Sequence, residues 1–485
     1  MAANGHSRPR IAIAGSGFGG IGLAYWLKKA GIDTFTIYER AAELGGVWRD
    51  NHYPGAACDV PSRFYSYSFE QDYRWSAPYG SQAEILQYLN HCAAKHGAAE
   101  HIRFGAEITV AAFDEATGLW RLKTGDGEEI EAEIFVSAVG LFNKIAYPDI
   151  EGRGAYQGTQ FHSARWDQNF DPAGKTIAVI GTGASAVQFV PAIQPAAGTL
   201  KLFQRTPQYV NRRMIPDHKP DGGSKLARRW QRLRIFRQFE KVILRRASVE
   251  QTALAQAEFF AYLETQVPDA ELRARLTPDY RFGCKRVLQS NDWYPALQQP
   301  NVEVITAPIK SISETGVEMA DGASHPVDAI IYGTGFTPTD FLAPMQITGL
   351  GGQSLVSAWA GGAEAYLGIT VAGFPNFFMM YGPNTNTAAS IIFMLENQAR
   401  YIVQCARELG RGSVQSMNLR VGVQRDYNAD IQARIGETVL MDANCRSYFQ
   451  DPSGKVTTQW PGHLLEYKRR TRRVRMSDYE FSHAH

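Results

Sequence analysis

RIAIAGSGFGGIGLAYWLKKAG, residues 10–31, reads as a short apolar strand, a glycine turn and an amphipathic helix. Gly15 permits the tight turn, Gly17 lets the backbone approach a pyrophosphate, and Gly20 lets helix and strand pack closely. A second strand, DTFTIYER, ends at Glu39. The same frame returns at KTIAVIGTGASAVQFV, residues 175–190, with Gly181, Gly183 and Ala186 in the three roles, followed by the strand TLKLFQRTP. One such turn is a weak signal. Two in matched frames point to an α/β fold with two Rossmann-like dinucleotide-binding domains.

The registers separate the two cofactors. Glu39 lies 24 residues after Gly15, and Arg205 lies 24 residues after Gly181. A carboxylate suits free ribose hydroxyls, while an arginine suits a 2′-phosphate, which it can hold through two hydrogen bonds. The first site is therefore read as FAD and the second as NADPH, with Thr206 beside Arg205. The phosphates would sit on the helix N-termini, where N–H groups and the dipole favour anions.

Composition narrows the rest. At 485 residues the chain is too long for one core. A net charge of +2, with 20% charged and 44% hydrophobic residues, fits a globular protein and gives no case for a nucleic-acid partner. The five cysteines (Cys58, Cys92, Cys284, Cys405 and Cys445) are scattered without a CxxC, so a disulfide framework and a metal site are not expected. The opening MAANGHSRPR has no apolar signal-peptide core, and no run is long enough to span a bilayer. A cytoplasmic location and no integral membrane contact are expected.

Later segments fit a split FAD domain. HPVDAIIYGTGF ends an apolar strand in the turn Gly333–Phe336. NFFMMYGPNTNTAAS reads as a buried strand and turn, and IIFMLENQARYIVQCARELG as a long helix whose N-terminus would face the flavin. LARRWQRLRIFRQFEKVILRRAS carries Leu226, Trp230, Leu233, Phe236, Phe239 and Ile243 at near-helical spacing among arginines. It is read as a helical insertion packed over the NADP domain, with membrane contact as the alternative. The basic KRRTRRVR (Lys468–Arg475) is read as a solvated end of the fold.

YQGTQFHSARWD, Tyr156–Asp167, has neither strand alternation nor helical period, yet carries three large aromatics and a histidine. It closely resembles the FxGxxxHxxxW(P/D) fingerprint of type I Baeyer–Villiger monooxygenases. Gly158, His162, Trp166 and Asp167 match, and Tyr156 replaces a phenylalanine. GGVWRDNHYPGAACD (Gly45–Asp59) meets a second pattern of that family in full. The resemblance covers nearly the whole chain.

It implies an NADPH- and O2-dependent FAD monooxygenase that inserts oxygen beside a ketone carbonyl, through an anionic C4a-peroxyflavin, to give an ester or lactone. Arg286, in GCKRVL, would stabilise anionic oxygen over the flavin, and Asp59 would orient it. Val47, Trp48, Tyr65, Ile108 and Asn384 would join Gly15, Gly17, Gly20, Glu39 and Asp59 around FAD. Thr182, Gly183, Ala184, Ser185, Ala186 and Lys285 would join Arg205 and Thr206 around NADP. His162 would couple domain motion and not transfer protons.

The implied organisation is FAD domain 1–147, NADP domain 148–212, insertion 213–282, NADP domain 283–337 and FAD domain 338–485. The partners expected are a small ketone and O2. The GPNTNTAAS turn resembles the branch containing aryl-ketone enzymes, leaving the ketone open. Two alternatives remain at this point: a flavin monooxygenase acting on nitrogen or sulfur, and a flavin-dependent NADPH reductase or redox-binding protein.

Overall fold

The computed structural model describes residues 8–216, 223–246, 249–342 and 344–483; the opening MAANGHS, part of the stretch read for a signal peptide, lies outside them. Two five-stranded parallel sheets organise the chain. Their strands are β1 (Ile11–Ala14), β2 (Phe35–Glu39), β3 (Ile102–Phe104), β4 (Ile134–Ser137) and β5 (Thr159–His162). These are followed by β6 (Thr176–Ile180), β7 (Thr199–Phe203), β8 (Val302–Ile305), β9 (Ala329–Tyr332) and β10 (Phe377–Met379). The helices used below are α1 (Phe18–Lys29), α2 (Val47–Asp50), α3 (Ala184–Ile193) and α4 (Lys225–Arg246). They continue with α5 (Val249–Gln266), α6 (Ile391–Leu409) and α7 (Leu464–Arg470).

The first sheet runs β10–β4–β1–β2–β3 and the second β8–β7–β6–β9–β5, every pair parallel. In each, the chain winds outward on one side of the strand that carries the glycine turn and then crosses to the other side. That reversal opens a crevice at the carboxyl ends of the strands, where open α/β sheets bind ligands. The central strands are buried on both faces, as parallel sheets covered by helices require.

Gly15 and Gly181 close their turns in the same left-handed conformation, at φ 103° and 104°. A Cβ on Gly15 would lie 2.8 Å from the Ala138 carbonyl oxygen, and one on Gly181 would lie 2.6 Å from that of Gly333. Both positions exclude a side chain twice over.

Three expectations are corrected. The stretch Tyr156–Asp167 contains a regular element: its Thr159–His162 forms β5, paired with β9 so that His162 lies opposite Tyr332. As an edge strand it gains its partner from sequence 170 residues away, so local alternation could not reveal it. Second, α4 packs over the first unit and not, as expected, over the second. Phe239 stacks on Phe64 at 5.5 Å, and Phe236 meets Phe393 at 5.6 Å. It is α5 that reaches the second core, through Phe259 against Tyr209. Third, Cys284 and Cys445 form a disulfide across 161 residues, while Cys58, Cys92 and Cys405 are buried and free. CxxC spacing tests local pairs, and this pair is assembled by the fold. Among the described residues, no helix is long and apolar enough to cross a membrane.

Candidate active site

A single cleft of about 1690 Å³ opens between the carboxyl ends of both sheets. Gly15, Gly17, Glu39, Val47, Trp48, Asp59, Tyr65 and Ile108 line one part of it. Thr182, Gly183, Ala184, Ser185, Arg205, Thr206 and Lys285 line another. Gly20 and Ala186 stand behind these walls: Gly20 abuts the Gly15 carbonyl, and Ala186 packs against Gly333. Asn384 is also buried behind the wall, giving its amide to the Val456 and Gln459 carbonyls at 3.0 Å each. Neither α1 nor α3 has a side-chain cap at its N-terminus, where Gly17 and Gly183 sit. That leaves first-turn N–H groups for an anion.

Glu39 ends β2 with its carboxylate 5% exposed. One oxygen accepts from the Ser16 N–H (2.9 Å) and hydroxyl (2.7 Å). The other accepts from the Ala41 N–H and the Arg49 guanidinium, both at 3.0 Å. Burial alone would raise its pKa, but the Ser16 bonds and the Arg49 charge outweigh it and hold the carboxyl below its ordinary value. Four donors use all the acceptor positions. A ribose hydroxyl must therefore displace one, and Arg49 is the contact with other partners, Asp50 at 2.8 Å and the Glu43 carbonyl at 2.6 Å.

The matching position after β7 is electrostatically opposite. Among the described residues no carboxylate pairs with Arg205, which lies exposed on the cleft wall. Lys285 has its ammonium 4.5 Å from the Tyr280 ring centre. Burial, and then the like charge of Arg205, push the Lys285 pKa down. Two cations are held close with only Asp279 acting against them at Lys285, a site that an anion would relieve. The Thr206 carbonyl accepts from Thr182 at 3.1 Å, tying this strand end to the glycine turn.

Between the two halves stands Arg286. Its Nη2 donates to both Asp59 oxygens at 2.6 Å, joining residues 227 apart in sequence. Asp59 first, against the cost of burial, raises the arginine's pKa still further, so the guanidinium is cationic at every working pH. The side chain is 42% exposed, toward the cleft that encloses it. Its other N–H donors are not used by Asp59. Tyr448 lies against the guanidinium, and Tyr381 lines the same wall.

The residues Tyr156, Gly158, His162, Trp166 and Asp167 do not line the cleft. Tyr156 donates to the Val327 carbonyl at 2.8 Å and covers Gly158, leaving no room there for a side chain. Trp166 packs against Phe161 and Phe189. His162 is fully buried and its Nδ1 accepts from the Ala164 N–H at 3.0 Å. Burial, then the neighbouring Arg165 charge, lower its pKa to about 4. It is a neutral packing residue in this conformation.

Sequence reasoning missed the residues that join the halves. Gln188, on α3, accepts from the Tyr53 hydroxyl at 2.9 Å and bonds the Ala57 backbone in both directions. It thereby ties the Gly45–Asp59 segment to the second glycine turn. Tyr448 was missed as well, because an isolated aromatic carries no signal of its partner. The disulfide anchors the residues next to both Arg286 and Tyr448, since Cys284 and Cys445 lie two and three positions before them.

A model of the pyridine nucleotide-disulphide oxidoreductase family matches residues 12–234. A Baeyer–Villiger monooxygenase of Streptomyces coelicolor is 40% identical, covering 98% of this chain and 93% of its own. Another, from Pseudomonas aeruginosa, is 38% identical over 98% and 91%. Among solved structures, an oxidised steroid monooxygenase bound to NADP superposes with a TM-score of 0.87 at 27% identity, over 98% of this chain and 99% of that one. A cyclohexanone monooxygenase from Rhodococcus bound to NADP+ also gives 0.87, at 26% identity over 98% and 99%.

Proposed function

The chain belongs to the Baeyer–Villiger monooxygenases, NADPH-dependent FAD enzymes, and from that premise we propose that it converts a ketone to an ester or lactone. When bound, NADPH supplies a hydride and FAD activates O2. The observation that carries the reading is the Arg286–Asp59 pair on the wall of the cleft shared by both glycine turns.

The chain's own residues divide the work. Gly15, Gly17 and the α1 N-terminus hold the FAD diphosphate, and Glu39 receives the ribose as Arg49 yields. Val47, Trp48, Tyr65, Ile108 and, from behind the wall, Asn384 shape the rest of that site. Thr182–Ala186 hold the second diphosphate, while Arg205, Thr206 and Lys285 select the 2′-phosphate. This assigns 1–147 and 338–485 to FAD, 148–212 and 283–337 to NADP, and 213–282 to an insertion. The linker Tyr156–Asp167 sets how the halves dock.

Asp59 grips one nitrogen of Arg286 and so aims the remaining donors into the cleft. A fixed cation there stabilises anionic oxygen and the oxyanion formed when a carbonyl is attacked. Carbon migration then gives the ester. Substrates pass between the halves, where ketone and O2 meet.

The test is turnover of the holoenzyme with cyclic, linear and aryl ketones under 18O2. The reading requires an ester or lactone carrying one labelled atom. Oxygenation confined to amines or thioethers would replace it with the nitrogen- or sulfur-oxygenating alternative. NADPH oxidation without any oxygenated product would favour the reductase.

A further inference from the structure

We infer that the outward face of α4 is a docking surface for an anionic phospholipid bilayer. The helix carries nine lysines and arginines against one carboxylate, Glu240, in a chain whose total charge is only +2. Its inward side is accounted for. Ile235 and Phe239 are buried, Arg232 donates to the Arg63 and Ser66 carbonyls, and Lys225 and Arg228 pair with Asp72.

The outward side is not. Leu226 is 65% exposed, Trp230 60% and Leu233 38%, at i, i+4 and i+7 along one stripe, with Leu244 at 57% further on. Arg229, Arg234, Arg237 and Lys241 stand exposed among them, and none has an ion-pair partner among the described residues. Beside this helix, Glu240 accepts from the Leu465 N–H at 3.0 Å and has its other oxygen 3.3 Å from the His463 ring, which brings up the start of α7. Leu465 is half exposed there, and Lys468 and Arg469 follow it, also exposed.

Charge complementarity and texture together choose the occupant. A second copy would set cations against cations. Nucleic acid would use the arginines and could stack a base on Trp230, but would leave the exposed Leu226, Leu233 and Leu244 without a role. An anionic bilayer uses both, taking the apolar side chains into the acyl boundary and the arginines among the headgroups. Docking does not depend on the reaction proposed above, although Phe239, Val242 and Ile243 on the same helix line the cleft.

The experiment is co-sedimentation of the FAD-loaded protein with sucrose-filled vesicles of phosphatidylcholine, with and without phosphatidylglycerol. Wild type should partition onto the anionic vesicles, release in high salt and ignore the zwitterionic ones. Leu226→Ser with Trp230→Ser, and separately Arg229→Glu with Arg234→Glu and Arg237→Glu, should each weaken partitioning at least about tenfold. Flavin content and melting temperature, which these surface changes should leave intact, verify folding. No binding of wild type to anionic vesicles, or variants that bind as wild type does, overturns the inference. So does preferential binding of an acidic polypeptide or duplex DNA that survives the Leu226/Trp230 change.

Discussion

At the end of β2 a carboxylate lies buried with four donors on its two oxygens, whereas at the same register after β7 a guanidinium stands open beside a lysine. The backbones that present them are alike: equal φ at the first glycine, uncapped helix N-termini and the same strand reversal. The electrostatics are opposite, and so is the state of readiness. The Glu39 site is satisfied by its own chain, as suits a cofactor that arrives once and stays. The Arg205–Lys285 site is left with positive charge that Asp279 offsets only in part, as suits a coenzyme that binds and leaves at every turnover.

The strongest way to break this comparison is Glu39→Ala. It leaves the two Ser16 donors and the Ala41 N–H without their acceptor, while Arg49 keeps Asp50 and the Glu43 carbonyl, and each unmet buried donor costs about 1–3 kcal/mol. The expected outcome is a protein with little FAD and a much lower denaturation midpoint. The Glu39 contribution is complete above the ordinary glutamate pKa of about 4.3 and is lost as pH falls through its lower folded value. A variant with full FAD and wild-type stability would end the claim of a prepaid site.

On the second turn the effect falls on discrimination. Arg205→Ala should weaken NADPH by about 1.5–3 kcal/mol while leaving NADH nearly untouched, read from KM for the two coenzymes. Equal losses with both would mean that the residue does not meet the 2′-phosphate.

The smallest effect sharpens the linker's place between the halves. His162 folds with a pKa of about 4, below the ordinary 6.5, so the unfolded chain binds more protons between those values. Its stabilising contribution is whole above pH 6.5 and should shrink by about 2 kcal/mol on going down to pH 5. His162→Gln should flatten the melting temperature across that window. An unchanged slope would assign the acid sensitivity to other groups.

What the sequence made legible follows from range. The glycine turns, the flanking strands and the matched charges at Glu39 and Arg205 are local patterns, and the sheets place them as read. The Arg286–Asp59 contact was reached through family resemblance, since nothing local links residues 227 apart. The orientation of α4 is not legible in its sequence because the helix has two apolar stripes. Phe236, Phe239 and Ile243 turn inward with Ile235, while Leu226, Trp230 and Leu233 turn out. Helical spacing alone does not say which stripe meets the core. The disulfide was hidden for the same reason as Gln188, a partner supplied by the other half of the molecule, and the β5 pairing because its partner strand lies 170 residues away in the same sheet.

The cation that Asp59 holds between the two turns is expected to serve oxygenation and not cofactor binding. The direct measurement is ester formed per NADPH consumed by Arg286→Ala, with a ketone that wild type accepts. The expected variant keeps FAD and still oxidises NADPH, but its ester yield falls about 10²–10³-fold, with hydrogen peroxide as the main product. Wild-type coupling in that variant would contradict it.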